Sequence, residues 1–129
     1  MKSLYSFYVF VVILLLSSII TLSCATKSPV LYKDGAPLSI SEYEKIAQSE
    51  FDNKRYSKAI EVYEAIMTNF PDYSKAVAWA HYEVGFCYYV QEKYDEAEKY
   101  FRIVINEFQE PAANKLAQDM LAKIVEEKK

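Results

Sequence analysis

The stretch Tyr56-Ser57-Lys58-Ala59-Ile60-Glu61-Val62-Tyr63-Glu64-Ala65-Ile66 returns 38 residues later as Tyr94-Asp95-Glu96-Ala97-Glu98-Lys99-Tyr100-Phe101-Arg102-Ile103-Val104. Tyr56 falls on Tyr94, Ala59 on Ala97, Tyr63 on Phe101 and Ile66 on Val104. The correspondence extends outward, with Ile46 on Val84, Ala47 on Gly85, Phe51 on Tyr89 and Phe70 on Phe108. Within each copy the matched apolar positions recur three and four apart, which is the spacing of one helix face. Small residues at 47, 59, 85 and 97 suit helices that cross closely, and Tyr63 and Phe101 fill the space between successive pairs. The repeated unit is therefore a helical hairpin.

The first hairpin is predicted over 39–53 and 56–69, the second over 74–91 and 94–107. Ser39 and Glu42 have capping-box spacing, with Leu38 and Tyr43 as a hydrophobic staple. Asp95 with Glu98 is expected to cap the fourth helix. Pro111 suits a first helical turn, so a fifth helix follows over 111–127, its charged end fit for a solvated cap.

Composition agrees with this reading. The 129 residues are 52% hydrophobic and 26% charged, with two Gly and four Pro, which excludes disordered and collagen-like chains. Asp34-Gly35 lies in a polar stretch rather than between alternating runs, so hairpin punctuation is missing and an all-β fold is disfavoured. Fifteen Lys and Arg against 18 Asp and Glu leave no clustered positive charge for phosphate backbones, so no nucleic-acid partner is expected.

Before the hairpins, Met1-Lys2-Ser3 leads an apolar run over 4–22, then Ser23-Cys24-Ala25. This reads as an export signal over 1–23, with an uncleaved membrane anchor as the rival reading, since about 20 apolar residues span a bilayer. Residues 24–38 have no sustained period and read as a linker. Removing 1–23 takes away Lys2 and no acid, moving the net charge from -3 to -4. Cys87 is then the only other thiol.

A Cys directly after a small residue at the end of such a run resembles the bacterial lipoprotein signal, although Thr21 stands where that pattern has Leu. The resemblance implies that Cys24 becomes the acylated N-terminus. Burial of acyl chains, at about 0.8 kcal/mol per CH₂, then holds the domain on a membrane. The rest of the chain would face the periplasm.

The hairpins resemble the tetratricopeptide repeats. That pattern is carried by Tyr43, Ile46, Ala47, Phe51, Tyr56, Ala59, Tyr63, Ile66 and Pro71, then by His81, Val84, Gly85, Tyr88, Tyr94, Ala97, Phe101 and Val104. Gln109 stands where the closing Pro would be, and the period exceeds the usual length of about 34. The resemblance spans about 39–111 and implies an all-α, right-handed superhelical stack of hairpins. Together with the lipoprotein-like signal and Tyr63-Glu64-Ala65-Ile66-Met67-Thr68-Asn69-Phe70-Pro71, it looks like the BamD family of outer-membrane assembly lipoproteins, whose members carry more repeats. That family implies a scaffold on the periplasmic face of the outer membrane, with the barrel-insertion protein and unfolded outer-membrane proteins as partners. Ala25, which is not acidic, is consistent with outer- rather than inner-membrane sorting. The alternative is a repeat adaptor for a cell-wall or Tol-Pal related complex, without a client groove.

Trp79, Tyr82, Phe86 and Tyr89 share one helix face, and Glu44, Gln48 and Phe51 take the inner positions of the first hairpin. The repeat pattern places both sets on the concave side. Tyr and Trp offer large contact area at low rotamer cost, so these seven residues are the candidate partner groove. The competing reading packs the aromatic stripe under the first and fifth helices as core. On the groove reading, Phe51→Ala and Tyr89→Ala weaken binding more than folding. His81 and Cys87 lack a nucleophile, a metal partner or a catalytic motif around them and read as packed side chains. No catalytic role, metal or cofactor is expected. Glu92, Lys93, Asp95, Glu96, Glu98 and Lys99 read as solvated helix surface.

Overall fold

The computed structural model describes residues 29–129; the signal segment and Cys24 lie outside the described residues. A two-stranded ribbon, β1 (Tyr32–Lys33) and β2 (Ala36–Pro37), precedes five helices: α1 (Ile40–Asp52), α2 (Tyr56–Asn69), α3 (Ser74–Tyr89), α4 (Tyr94–Glu107) and α5 (Pro111–Glu127). Each helix packs on the next in sequence, and α3 also touches α5. This is the all-α stack of hairpins expected from the 38-residue period.

Helix ends follow local chemistry. At the start of α1 the Ser39 hydroxyl accepts from the Glu42 N–H, and the Glu42 carboxylate accepts the Ser39 N–H at 2.9 Å. The exits of α1 and α3 are copies of each other. Lys54 (φ 58°) and Glu92 (φ 60°), 38 residues apart, both take the left-handed conformation. The Arg55 N–H donates to the Glu50 carbonyl at 2.9 Å and the Lys93 N–H to the Tyr88 carbonyl at 3.1 Å. That bond, with Lys54 to Phe51 and Glu92 to Tyr89, is the Schellman pattern, which closes a helix and turns the chain at once. Two side chains other than glycine hold left-handed backbone here, a conformation costing roughly 1–2 kcal/mol for an L-residue.

Two expectations need correction. No side chain caps α4: its first turn follows directly from the left-handed Glu92, and Lys93 occupies the N-cap. Asp95 and Glu98 instead accept from the Lys128 ammonium at 2.7 and 3.3 Å, and Glu98 also accepts from Arg102. The second correction concerns residues 32–37, read as part of a linker. There Asp34 (φ 53°) and Gly35 (φ 81°) form a two-residue hairpin turn of the primed type, pairing Tyr32 with Pro37 and Lys33 with Ala36. Strands of two exposed residues show no alternation, so the ribbon left no periodic signal. It is pinned from outside, where the Tyr43 hydroxyl donates to the Leu31 carbonyl and Leu38 is buried.

The core divides in two. Tyr43, Ala47, Ala59, Val62, Tyr63, Ile66, Val84 and Cys87 form one cluster between α1, α2 and α3. Ala97, Phe101, Val104, Ala113, Ala117, Met120 and Ile124 form the other, between α4 and α5. Helix α3 serves both, which is why it is apolar nearly all round. Gly85 lets it sit against α4: a Cβ there would lie 2.9 Å from the Phe101 ring.

Candidate functional site

Helix α1 presents Glu44 and Gln48 one turn apart, and α3 presents Trp79 and Glu83 at the same spacing. These four, with Tyr63 and Ile66 of α2 and Ala76 and Ala80 of α3, line a cavity of about 220 Å³ between the two hairpins. The alanines leave the space that a larger residue would fill. A shallower hollow of about 420 Å³ shares Glu44, Ala76 and Trp79 and runs on to Tyr73, Ser74 and Lys75 at the start of α3. The two together form a groove with a half-buried indole in its wall.

Its electrostatics are lopsided. Burial, and then the Glu44 carboxylate, push the Glu83 carboxyl above its ordinary value. Burial, followed by Glu83, pushes the Tyr63 phenol up strongly. Neither Glu44 nor Glu83 joins an ion pair among the described residues. The Gln48 amide donates to Asp52 at 2.8 Å.

The candidate residues divide between two places. Glu44, Gln48 and Trp79 meet at the cavity, and Trp79 also packs on the second core cluster, its ring edge-on to Tyr82 at 5.8 Å. Phe51 is half-buried, its ring 5.3 Å from Tyr56 and stacked 5.7 Å from Phe86, joining the two hairpins. Tyr82 lies 5.6 Å from Phe101, Phe86 stacks on Tyr82 and Tyr89, and Tyr89 lies 5.7 Å from Tyr94. Tyr82, Phe86 and Tyr89 thus rest against the second core cluster and keep one edge outward. Glu83 and Tyr63 were not among the candidates. Glu83 did leave a sign: it is the one acid in α3, four residues past Trp79.

Neither His81 nor Cys87 lines the cavity, although Cys87 lies within electrostatic reach of Glu83 and Tyr63. Cys87 is fully buried, and burial pushes its thiol up to about 12, so almost none is thiolate at neutral pH. His81 lies between the rings of Tyr100 and Phe108 at 5.9 and 5.4 Å, and burial lowers its pKa. No group of three His, Cys, Asp or Glu placed to hold a metal occurs among the described residues, and no helix there is long and apolar enough to cross a membrane.

The family model for the tetratricopeptide repeat matches residues 50–124, from the last turn of α1 to the end of the buried face of α5. No curated protein and no solved structure matches the chain. With that match over more than half its length, laid on the paired helices described above, the chain belongs to the tetratricopeptide repeat family, a fold that serves as a protein–protein interaction scaffold.

Proposed function

We propose that this scaffold is tethered to the bacterial envelope through an acylated Cys24, at the periplasmic face of the outer membrane, and takes part in assembly of outer-membrane β-barrel proteins. The tether reading rests on the apolar run over 4–22 and the Ser23-Cys24-Ala25 junction. The protein-binding role rests on one observation above all: the groove where Glu44 and Gln48 of α1 face Trp79 of α3. A hollow of this kind, lined by one large aromatic and a few polar groups, takes up a polypeptide segment by seating one anchor side chain. The role is one of binding and positioning, without a catalytic step.

The adaptor reading draws on a different observation. Tyr82, Phe86 and Tyr89 are engaged in ring contacts inside the chain, so that half of the inner surface has less to offer a client.

Trp79 is the only tryptophan, so its emission reports the groove directly. Peptides from the ends of barrel proteins are expected to shift that emission; no shift with several of them favours the adaptor. Co-purification from detergent-solubilised envelopes tests the process. Absence of the barrel-insertion protein from the material recovered removes barrel assembly as the role.

A further inference from the structure

The inner cavity is lined by two carboxylates and by no basic side chain. Glu44 comes from α1 and Glu83 from α3, and both line the same cavity of about 220 Å³. Glu83 is half-buried, and the charge that acts on it is that of Glu44, of like sign. Neither carboxylate has an ion-pair partner among the described residues, while Arg102 and Lys128 are both engaged by carboxylates of α4. The one basic residue of the groove, Lys75, lines the outer hollow beside Glu44 and not the cavity that Glu83 lines. A charged group held out of water beside another of the same sign is unfavourable, and a cation placed between them relieves both penalties together. The half-buried Trp79 adds aromatic surface to the same cavity, and aromatic rings attract cations, guanidinium most readily.

We propose that this cavity receives a basic side chain of the partner polypeptide, an arginine, whose guanidinium is held by Glu44 and Glu83 and covered by Trp79. Arginine is favoured over lysine because its planar fork suits carboxylates and ring stacking, and because it loses hydration more easily. The adjoining hollow by Tyr73 and Trp79 then takes the neighbouring residue of the same segment, which is apolar. This specifies the partner chemistry of the groove and rests on the protein-binding reading above.

The test uses the full chain in detergent and four blocked decapeptides of one Ala/Tyr background, differing only in a central Arg, Lys, Gln or Glu. Trp79 emission is titrated with each. The Arg peptide is expected to bind at least tenfold more tightly than the Gln peptide, with Lys between them and Glu weakest. Glu83→Gln is expected to remove that preference, bringing the affinity for the Arg peptide down to that for the Gln peptide. It is also expected to raise the melting temperature, because the variant no longer holds an unpaired carboxylate in a half-buried site. If the Arg and Gln peptides bind equally, the basic-anchor proposal fails and the groove stands. If no peptide binds, both fail. A lower melting temperature for Glu83→Gln also overturns the proposal, since the carboxylate would then be supporting the fold.

Discussion

Positions 44, 48 and 51 of the first hairpin correspond, 38 residues on, to 82, 86 and 89 of the second. The backbone treats them alike, yet the first set is Glu, Gln and Phe and the second Tyr, Phe and Tyr. Between α1 and α3 Glu44 and Gln48 leave a cavity; between α3, α4 and α5 the rings fill the corresponding space. A second matched pair shows the same divergence. Tyr43 and His81 both meet a phenylalanine of their own hairpin, Phe70 at 6.2 Å and Phe108 at 5.4 Å. Tyr43 is fully buried and its hydroxyl is satisfied by Leu31, just before the ribbon, whereas His81 Nδ1 has no partner among the described residues. One repeat is thus stabilised by what precedes it and left open at its inner face; the other is closed there and less completely satisfied. Repeating a backbone unit does not repeat its function, because each copy has different neighbours.

The largest effect belongs to the closed side. Phe101→Ala removes a fully buried ring lying against Gly85, and a loss of about 3–5 kcal/mol is expected in urea unfolding. The matched pair Phe86→Ala and Gln48→Ala tests the comparison itself. Phe86 touches Phe51, Tyr82 and Tyr89, so a loss of about 2–3 kcal/mol is expected. Gln48 is exposed, and its truncation is expected to stay within about 0.5 kcal/mol. Equal losses would show that the two regions do not differ in packing. The ring contacts of Phe51 and Tyr89 also revise what their alanine variants should do: the fold is expected to lose at least as much as binding.

A smaller effect is pH-dependent. The folded-state pKa of His81 lies below its ordinary 6.5, because burial disfavours the imidazolium more than Glu107 favours it. The unfolded chain then binds more protons in that window, so the contribution is complete above about pH 6.5 and is lost as pH falls through the folded-state value. The gap in melting temperature between wild type and His81→Gln should therefore shrink on acidification from pH 7 to 5; a constant gap would place the imidazole in water. Least of all, Lys128→Ala breaks the links to Asp95 and Glu98 but is expected to leave the melting temperature unchanged within error, since exposed ion pairs are screened.

The amino-acid sequence by itself determined the hairpins and their period, because apolar residues three and four apart specify a buried helix face wherever they occur. It also marked Glu44, Gln48 and Trp79. What only the tertiary structure decided was which inner positions meet across the stack. Trp79 and Glu83 are one turn apart on α3, but that both line the gap beside α1 while Trp79 also packs on the second core cluster depends on how the hairpins are set against each other. The placement of the ribbon against α1 was decided the same way, by the Tyr43 hydroxyl reaching back to the Leu31 carbonyl. Periodicity is a property of one segment, whereas a cavity or a pinned ribbon exists only between segments, and distances between segments are fixed by packing.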